Sequence, residues 1–405
     1  MESLVVVGAS LAGLRAVESA RRSGFTGPVT LIGAEEHLPY DRPPLSKSFL
    51  GTGHDGVVTP FRSADELRED WDVRLCLGAP AQALDTAERE VVVDGRPVPY
   101  DAVVVATGAA PHPFPMGQGI LGVHQLRTVE DARAIRAALD AGARTVVIGA
   151  GFIGSEVASA ARKRGLPVTV VEALELPLIR SVGRDAGEVC AELHRENGTD
   201  LRLGTRVTAI ASHHGRVIGV GLDDGDEIAA DLVVVGIGVA PATGWLRDSG
   251  VLLHGADGGV VCDERLATNV PGVYAAGDVA HAASPLFDGE LMRLEHWTNA
   301  AEQGAAAARH ALDPASAVAL EPVPYFWSDT YGHRLQFVGT PRADEVRVVS
   351  RAVAGFAALY RRGDRLVGAL TVDRPREIMK YRRRVAERGA WEEALTFAAL
   401  GRKIG

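Results

Sequence analysis

Two stretches of the chain repeat one arrangement of apolar and polar positions. Residues 3–13, SLVVVGASLAG, run an apolar β-branched segment into a glycine-rich turn, and residues 144–154, RTVVIGAGFIG, do so again. Each turn leads into a stretch of helical periodicity that stops at a glycine, Gly24 in the first copy and Gly165 in the second. A second β-branched run follows in both, VTLIGAEE at 29–36 and VTVVEALE at 168–175. Further on, DAVVVATGAAP (101–111) and DLVVVGIGVAP (231–241) close each copy with a matching strand. Strands that are apolar throughout and alternate with helices predict βαβ units and parallel sheets covered on both faces.

The second copy is nested in the first. GVYAAGDVA (272–280) is another strand and loop with no glycine fingerprint of its own, so the chain is expected to return there to the first sheet. From about residue 317 the period changes. RLQFVG, EVRVVS and GFAALYRRGDRLVGALTVD read as antiparallel strands, with a hairpin turn at Arg362-Gly363-Asp364, and the basic helix REIMKYRRRVAERG follows. The expectation is an α/β protein with two nested Rossmann-like dinucleotide-binding domains and a C-terminal α+β domain. The first domain is discontinuous over 1–112 and 241–316, the second spans 113–240, and the third spans 317–405.

Composition narrows the function. The 46 glycines exceed the roughly 28 expected at an average usage of about 7%, which suits backbone held close to ligands. A net charge of −9 opposes a nucleic-acid partner. Residues 341–405 carry 15 Lys and Arg against 8 Asp and Glu, a local +7 that leaves −16 on the remainder. No signal-peptide pattern or membrane-length apolar run is present, so a cytoplasmic protein with no membrane partner is expected. Cys76, Cys190 and Cys262 are isolated and read as ordinary buried thiols. His213-His214 lies in a polar segment without a spaced Cys or His, so no metal is expected.

Gly149, Gly151 and Gly154 form a full G-x-G-x-x-G between strand and helix. The first glycine allows the tight turn, the second lets backbone approach a pyrophosphate, and the third lets helix pack on sheet. The helix N-terminus offers N–H groups to the phosphates. Glu172, ending the next strand, stands where a carboxylate can accept both ribose hydroxyls, which favours NADH over NADPH. The N-terminal copy, Gly8 to Gly13, has Ser10 at the middle position and an acid at Glu35. A purely structural turn there would leave Lys47 and Asp278 unexplained.

LPYDRPPLSK (38–47) is the most specific segment. With VVVATG, LRTVEDA (126–132), GAGFIGSEVA (149–158), VYAAGD (273–278), RLEHWTNAAEQG (293–304) and PYFWSDTYG (324–332), it resembles the ferredoxin reductases of the FAD/NAD-linked flavoproteins, in order along most of the chain. The resemblance implies a glutathione-reductase-like architecture and two cofactors. FAD would be held by Gly8, Ala12, Gly13, Glu35, Arg42, Lys47, Ala81, Thr107, Gly108, Arg127, Asp278, Glu295 and Trp297. NADH would be held by Gly149, Gly151, Phe152, Ile153, Gly154, Glu156, Glu172 and Gly238. Lys47 would stand beside the flavin N5 region, paired with Glu156, where a cation stabilises negative charge on a reduced ring. Trp327 would pack near the isoalloxazine. Two departures are visible: Ala34 stands where the family often has an acid, and Thr330 replaces a glutamine after FWSD.

The activity so implied is hydride transfer from NADH to FAD, followed by single electrons to a small acidic [2Fe-2S] ferredoxin that feeds a monooxygenase or dioxygenase. Arg293, Arg361 and Arg362 are the expected docking charges. The third-domain runs Arg365 and Arg382–Arg384 could add to them, or could be only a solvated face. A rubredoxin or quinone-type acceptor stays open. So does a non-catalytic flavoprotein like apoptosis-inducing factor, in which FAD and NADH set conformation. A disulfide reductase would need a redox thiol near the flavin. Residues 36–60 contain no cysteine and C-x-x-C occurs nowhere.

Overall fold

The computed structural model describes residues 1–401. The last four residues of the C-terminal segment expected over 317–405 therefore lie outside the described residues, as do Arg402 and Lys403 of its charge count. Two compact units emerge, each assembled from three pieces of chain. The first comprises Met1–Asp41, Val58–Ala110 and Val239–Pro324, and the second Arg42–Val57, Pro111–Gly238 and Tyr325–Gly405.

The first unit is built on a five-stranded parallel sheet. Its strands run Val273–Ala275, Ala102–Val105, Leu4–Val7, Val29–Ile32 and Val73–Cys76, in that spatial order. The central three are buried at every position, because helices cover one face and a small meander the other. The strand at Val273–Ala275 pairs with Ala102–Val105, which is how the chain rejoins the sheet after its long excursion. Leu11–Arg22 packs against Trp297–Leu312. They approach so closely at Gly304 that a Cβ there would lie 2.1 Å from the Ala12 carbonyl oxygen.

The second unit repeats the plan. Asp200–Leu203, Val168–Glu172, Thr145–Ile148, Leu232–Val235 and Val123–Gln125 form its parallel sheet. Both units cross back through a three-stranded antiparallel meander, at Ala81–Pro99 in the first and Val207–Ala229 in the second. The second unit also carries a five-stranded antiparallel sheet in the order Tyr325–Thr330, His333–Gly339, Arg365–Val372, Ala357–Arg362 and Glu345–Ser350. The turn between Arg362 and Arg365 falls at the expected hairpin. The basic helix is Pro375–Ala386, which seats Ile378, Tyr381 and Val385 in the core.

Candidate functional site

The glycine loop of the second unit is shaped by three different requirements. Gly149 has φ +98, and a Cβ on it would lie 2.4 Å from the Gly236 carbonyl oxygen. A Cβ at Gly154 would meet the Gly149 carbonyl oxygen at 2.1 Å, so helix Phe152–Lys163 can sit on its strand only without a side chain there. Gly151 differs. Its φ is an ordinary −76, and the nearest atom to an added Cβ is 3.8 Å away. The protein itself therefore does not require glycine at 151, and the missing side chain leaves the loop open above it. An opening of this kind fits the pyrophosphate of a dinucleotide.

Glu172 is brought to the same loop. Its carboxylate accepts the Ala150 N–H at 2.7 Å and the Leu174 N–H at 2.9 Å. The two arginines at the end of the preceding helix, Arg162 and Arg164, are committed elsewhere. Arg162 donates to the carbonyls of Asn197 and Leu166, and Arg164 pairs with Asp140 at 2.9 Å with only 6% of its side chain exposed. Phe152, half-buried, meets Phe326 edge-on at 4.8 Å. Ile153 is half-buried on the first helical turn, and Gly238 (φ +102) accepts the His112 N–H.

Glu156 is 4% exposed on that helix and pairs with Lys47 at 2.8 Å, the partnership the resemblance implied. The carboxylate also takes the hydroxyls of Ser46 (2.5 Å) and Ser328 (2.6 Å) and the Asp329 N–H (3.3 Å). The two serines carried no signal in the sequence, because their partner lies 110 and 172 residues away. Trp327, next to Ser328, is half-buried, stacks on Tyr325 at 5.8 Å and has the Arg334 guanidinium 5.7 Å from its ring centre. Arg42 donates to the Arg127 carbonyl at 2.7 Å, so two guanidinium-bearing residues meet in this unit.

In the first unit, Gly8 (φ +122) and Gly13 repeat the turn and packing roles of Gly149 and Gly154. Ser10 takes the middle place at the head of Leu11–Arg22. Ala12 is 6% exposed, its side chain against Gly277 and its backbone against Gly304, so its side chain packs helices together. Glu35 accepts the Tyr40 hydroxyl at 2.6 Å. Ala81 is half-buried at the start of its strand. Thr107 donates to the Ala242 carbonyl, and Gly108 accepts the Ala242 N–H. Asp278 lies half-buried in the 3-10 turn Gly277–Val279. Trp297 opens a 16-residue helix and donates its indole N–H to Asp41 at 2.8 Å.

Arg293, expected as a docking charge from its place just before LEHW, is already paired. Its side chain is 13% exposed, pairs with Asp257 (2.7 Å) and Glu295 (2.8 Å), and reaches the Asp278 carbonyl. Asp257 also accepts from His281 at 2.9 Å, and against the opposing effect of burial His281 and Arg293 together hold its carboxyl far below the usual range. His254, Asp257 and His281 are close enough together for a metal. Arg293, however, already compensates the carboxylate, and the buried His281 Nδ1 has no hydrogen-bond partner that would orient it as a ligand. Arg361 (32% exposed) pairs with Glu345, and Arg362 donates to the Arg342 carbonyl. Of the thiols, Cys190 and Cys262 are buried and pushed up to about 12 by burial, whereas Cys76 is half-buried rather than buried as expected.

Comparisons with known proteins identify the family. Residues 2–304 match the pyridine nucleotide-disulphide oxidoreductase family, and residues 325–398 match the reductase C-terminal family. The chain is 38% identical over 388 residues to rhodocoxin reductase of Rhodococcus erythropolis, covering 95% of this chain and 89% of that one. It is 36% identical over 404 residues to the ferredoxin–NAD(+) reductase component of the p-cumate 2,3-dioxygenase system of Pseudomonas putida, covering 96% and 94%. Among solved structures it matches the covalent putidaredoxin reductase–putidaredoxin complex with a TM-score of 0.90 and 32% identity, over 100% of this chain and 99% of that one. An oxidoreductase fold with two glycine loops, and this likeness along nearly the whole length, lead to one conclusion: the chain belongs to the ferredoxin reductases of the pyridine nucleotide-disulphide oxidoreductase family.

Proposed function

We propose that the protein takes a hydride from NADH and delivers single electrons to a small acidic [2Fe-2S] ferredoxin serving an oxygenase. The observation that carries this reading is the combination of two dinucleotide cradles with an ion pair between half-buried Lys47 and buried Glu156, in a chain whose two buried thiols are held protonated. Bound FAD supplies the exchange between a two-electron donor and a one-electron acceptor.

On the first unit, Gly8, Ala12 and Gly13 present backbone to the FAD pyrophosphate. Glu35 takes the ribose, with Ala81, Thr107, Gly108 and Asp278 lining the cofactor. The first turn of Trp297–Leu312 would offer N–H groups to the flavin. Glu295 fixes Arg293, which in turn steadies the Asp278 main chain. On the second unit, Arg42 and Arg127 neutralise phosphate charge, while Gly149, Gly151, Phe152, Ile153, Gly154 and Gly238 receive NADH. Glu172 accepts the ribose hydroxyls and repels a 2′-phosphate, which sets the preference for NADH. Lys47, held by Glu156, would offer positive charge to the flavin, which would supply the redox chemistry. Trp327 shields it from water.

Arg361 and Arg362, a pair of cations beside an exposed turn, are with Arg293 the proposed docking charges. An acidic ferredoxin steered by them would associate more slowly as salt rises.

The test is NADH-driven reduction of a panel of purified ferredoxins by the FAD-loaded protein. Rapid reduction of an acidic [2Fe-2S] member, slowed by salt and by charge reversal at Arg361 and Arg362, is the expected result. Turnover with quinones but with no ferredoxin would replace the acceptor. A protein that neither contains nor takes up FAD would end the proposal.

A further inference from the structure

The Glu156 carboxylate is saturated. Oε2 accepts from the Ser46 hydroxyl and the Lys47 ammonium, and Oε1 accepts from the Ser328 hydroxyl and the Asp329 N–H. Only one of these four donors carries charge. The two hydroxyls fall one on each oxygen, and Ser46 and Ser328 are themselves 6% and 2% exposed. Water therefore cannot stand in for either hydroxyl. Their positions in the chain matter too. Ser46 ends the 3-10 turn that immediately precedes Lys47, and Ser328 directly follows Trp327 in its strand.

A buried carboxylate with Lys47 as its main strong donor would draw the ammonium fully to itself, since hydrogen bonds to an ionised group are the strong ones. Two further short bonds from neutral hydroxyls divide the negative charge and hold the carboxylate plane in one orientation. We propose that Ser46 and Ser328 are positioning residues, which act through Glu156 to fix the Lys47 ammonium and to leave it positive charge for the reduced flavin. The inference rests on the role given to Lys47 above. It is separable from a scaffold role for the hairpin. Tyr331, at φ +54 in that hairpin, donates its N–H to Ser159 (2.7 Å), and its hydroxyl meets His194 (2.8 Å) and Thr199 (2.8 Å). Those bonds survive when the Ser328 hydroxyl is removed, so the hairpin keeps its seat.

The experiment uses FAD-loaded protein with Ser46→Ala, Ser328→Ala, Glu156→Gln, and Ser328→Ala combined with Glu156→Gln. The midpoint potential of the bound flavin is read by dye-coupled titration. The limiting rate of bleaching by NADH and its apparent Kd are read by stopped flow. Each serine variant should shift the flavin equilibrium toward the oxidised form by about tenfold, which is about 30 mV for a two-electron couple. The limiting rate should fall by a similar factor while the apparent Kd for NADH stays within about twofold. In the Glu156→Gln background, Ser328→Ala should change neither quantity, because the group it acts through is gone. Wild-type potential and rate in both serine variants would overturn the inference. So would an equal effect of Ser328→Ala with and without Glu156, since that would make the serine merely structural. If NADH fails to bleach the wild-type flavin, the hydride-donor reading falls. The potentials still decide the serines, because unchanged values reject them without any turnover.

Discussion

Replacing Gly151 by Ala separates what the protein requires from what its cofactor requires. The residue caps the helix Phe152–Lys163 with φ −76 and ψ −174, a conformation open to alanine, and an added Cβ would meet nothing nearer than 3.8 Å. The folding cost is then that of an alanine in place of glycine at a helix N-cap, on the order of 0.5–1 kcal/mol. Gly154→Ala, three residues on, would place its Cβ 2.1 Å from the Gly149 carbonyl oxygen and force helix and strand apart. Overpacking of that kind costs about 1–3 kcal/mol or more. For NADH the order is reversed. On the proposed reading a methyl at 151 would stand where the pyrophosphate approaches, and loss of even one good backbone hydrogen bond to a charged oxygen, about 1.5–3 kcal/mol, would weaken Kd by roughly 10- to 150-fold. Urea unfolding and NADH titration of the two variants, each with FAD bound, give the comparison. A Gly151→Ala protein that binds NADH as the wild type does would show that no pyrophosphate crosses this loop. So would one that unfolds as easily as Gly154→Ala.

Three further outcomes are expected. Replacing Glu172 with Gln should narrow the ratio of kcat/KM for NADH over NADPH by about tenfold or more, and a wild type with equal kcat/KM for the two would refute the ribose argument. Single Cys→Ala changes at 76, 190 and 262 should leave ferredoxin reduction intact; loss of electron transfer in a folded variant would bring a thiol mechanism back. His194, buried and hydrogen-bonded to Ser155 and Tyr331, is depressed to about 4 by burial. The unfolded chain takes up that proton near 6.5 and the folded one only near 4, so stability should fall as pH drops through this window. The total loss is up to about 3 kcal/mol. Denaturation midpoints at pH 7 and 5 check it, and a His194→Gln variant should lose that part of the slope.

The parallel sheets and glycine loops were legible because their signal is local and doubled. An apolar strand ending in Gly-x-x-x-x-Gly has few other conformations, and it occurs twice. The two meanders were not legible. Strands such as Arg96–Pro99 and Glu227–Ala229 are short, half-exposed and polar, and nothing in their period separates them from loops. Lys47 and Glu156 could be paired through resemblance, whereas Ser46 and Ser328 could not, since a hydroxyl becomes significant only when the fold buries it against a carboxylate. The pairing of Arg293 was hidden for the complementary reason. Its place just before LEHW carries no trace of Asp257, 36 residues earlier, which holds the guanidinium mostly buried.

The composition of the second unit bears on how this enzyme can be re-engineered. Arg42–Val57 is separated in sequence from Pro111–Gly238 by part of the other unit, yet it is bonded to it at several points. Lys47 meets Glu156, Arg136 donates to the His54 carbonyl, and Arg164 donates to the Leu50 carbonyl. A chimera that exchanges only the contiguous stretch 111–238 would set all three contacts, and the buried Glu156 carboxylate, against residues 42–57 of a different chain. A graft that carries residues 42–57, 111–238 and the chain from 325 onward moves the complete hydrogen-bonded set. Recombination breakpoints near 41, 57, 110, 238 and 324 are therefore the ones at which cofactor preference could be exchanged while the fold is preserved.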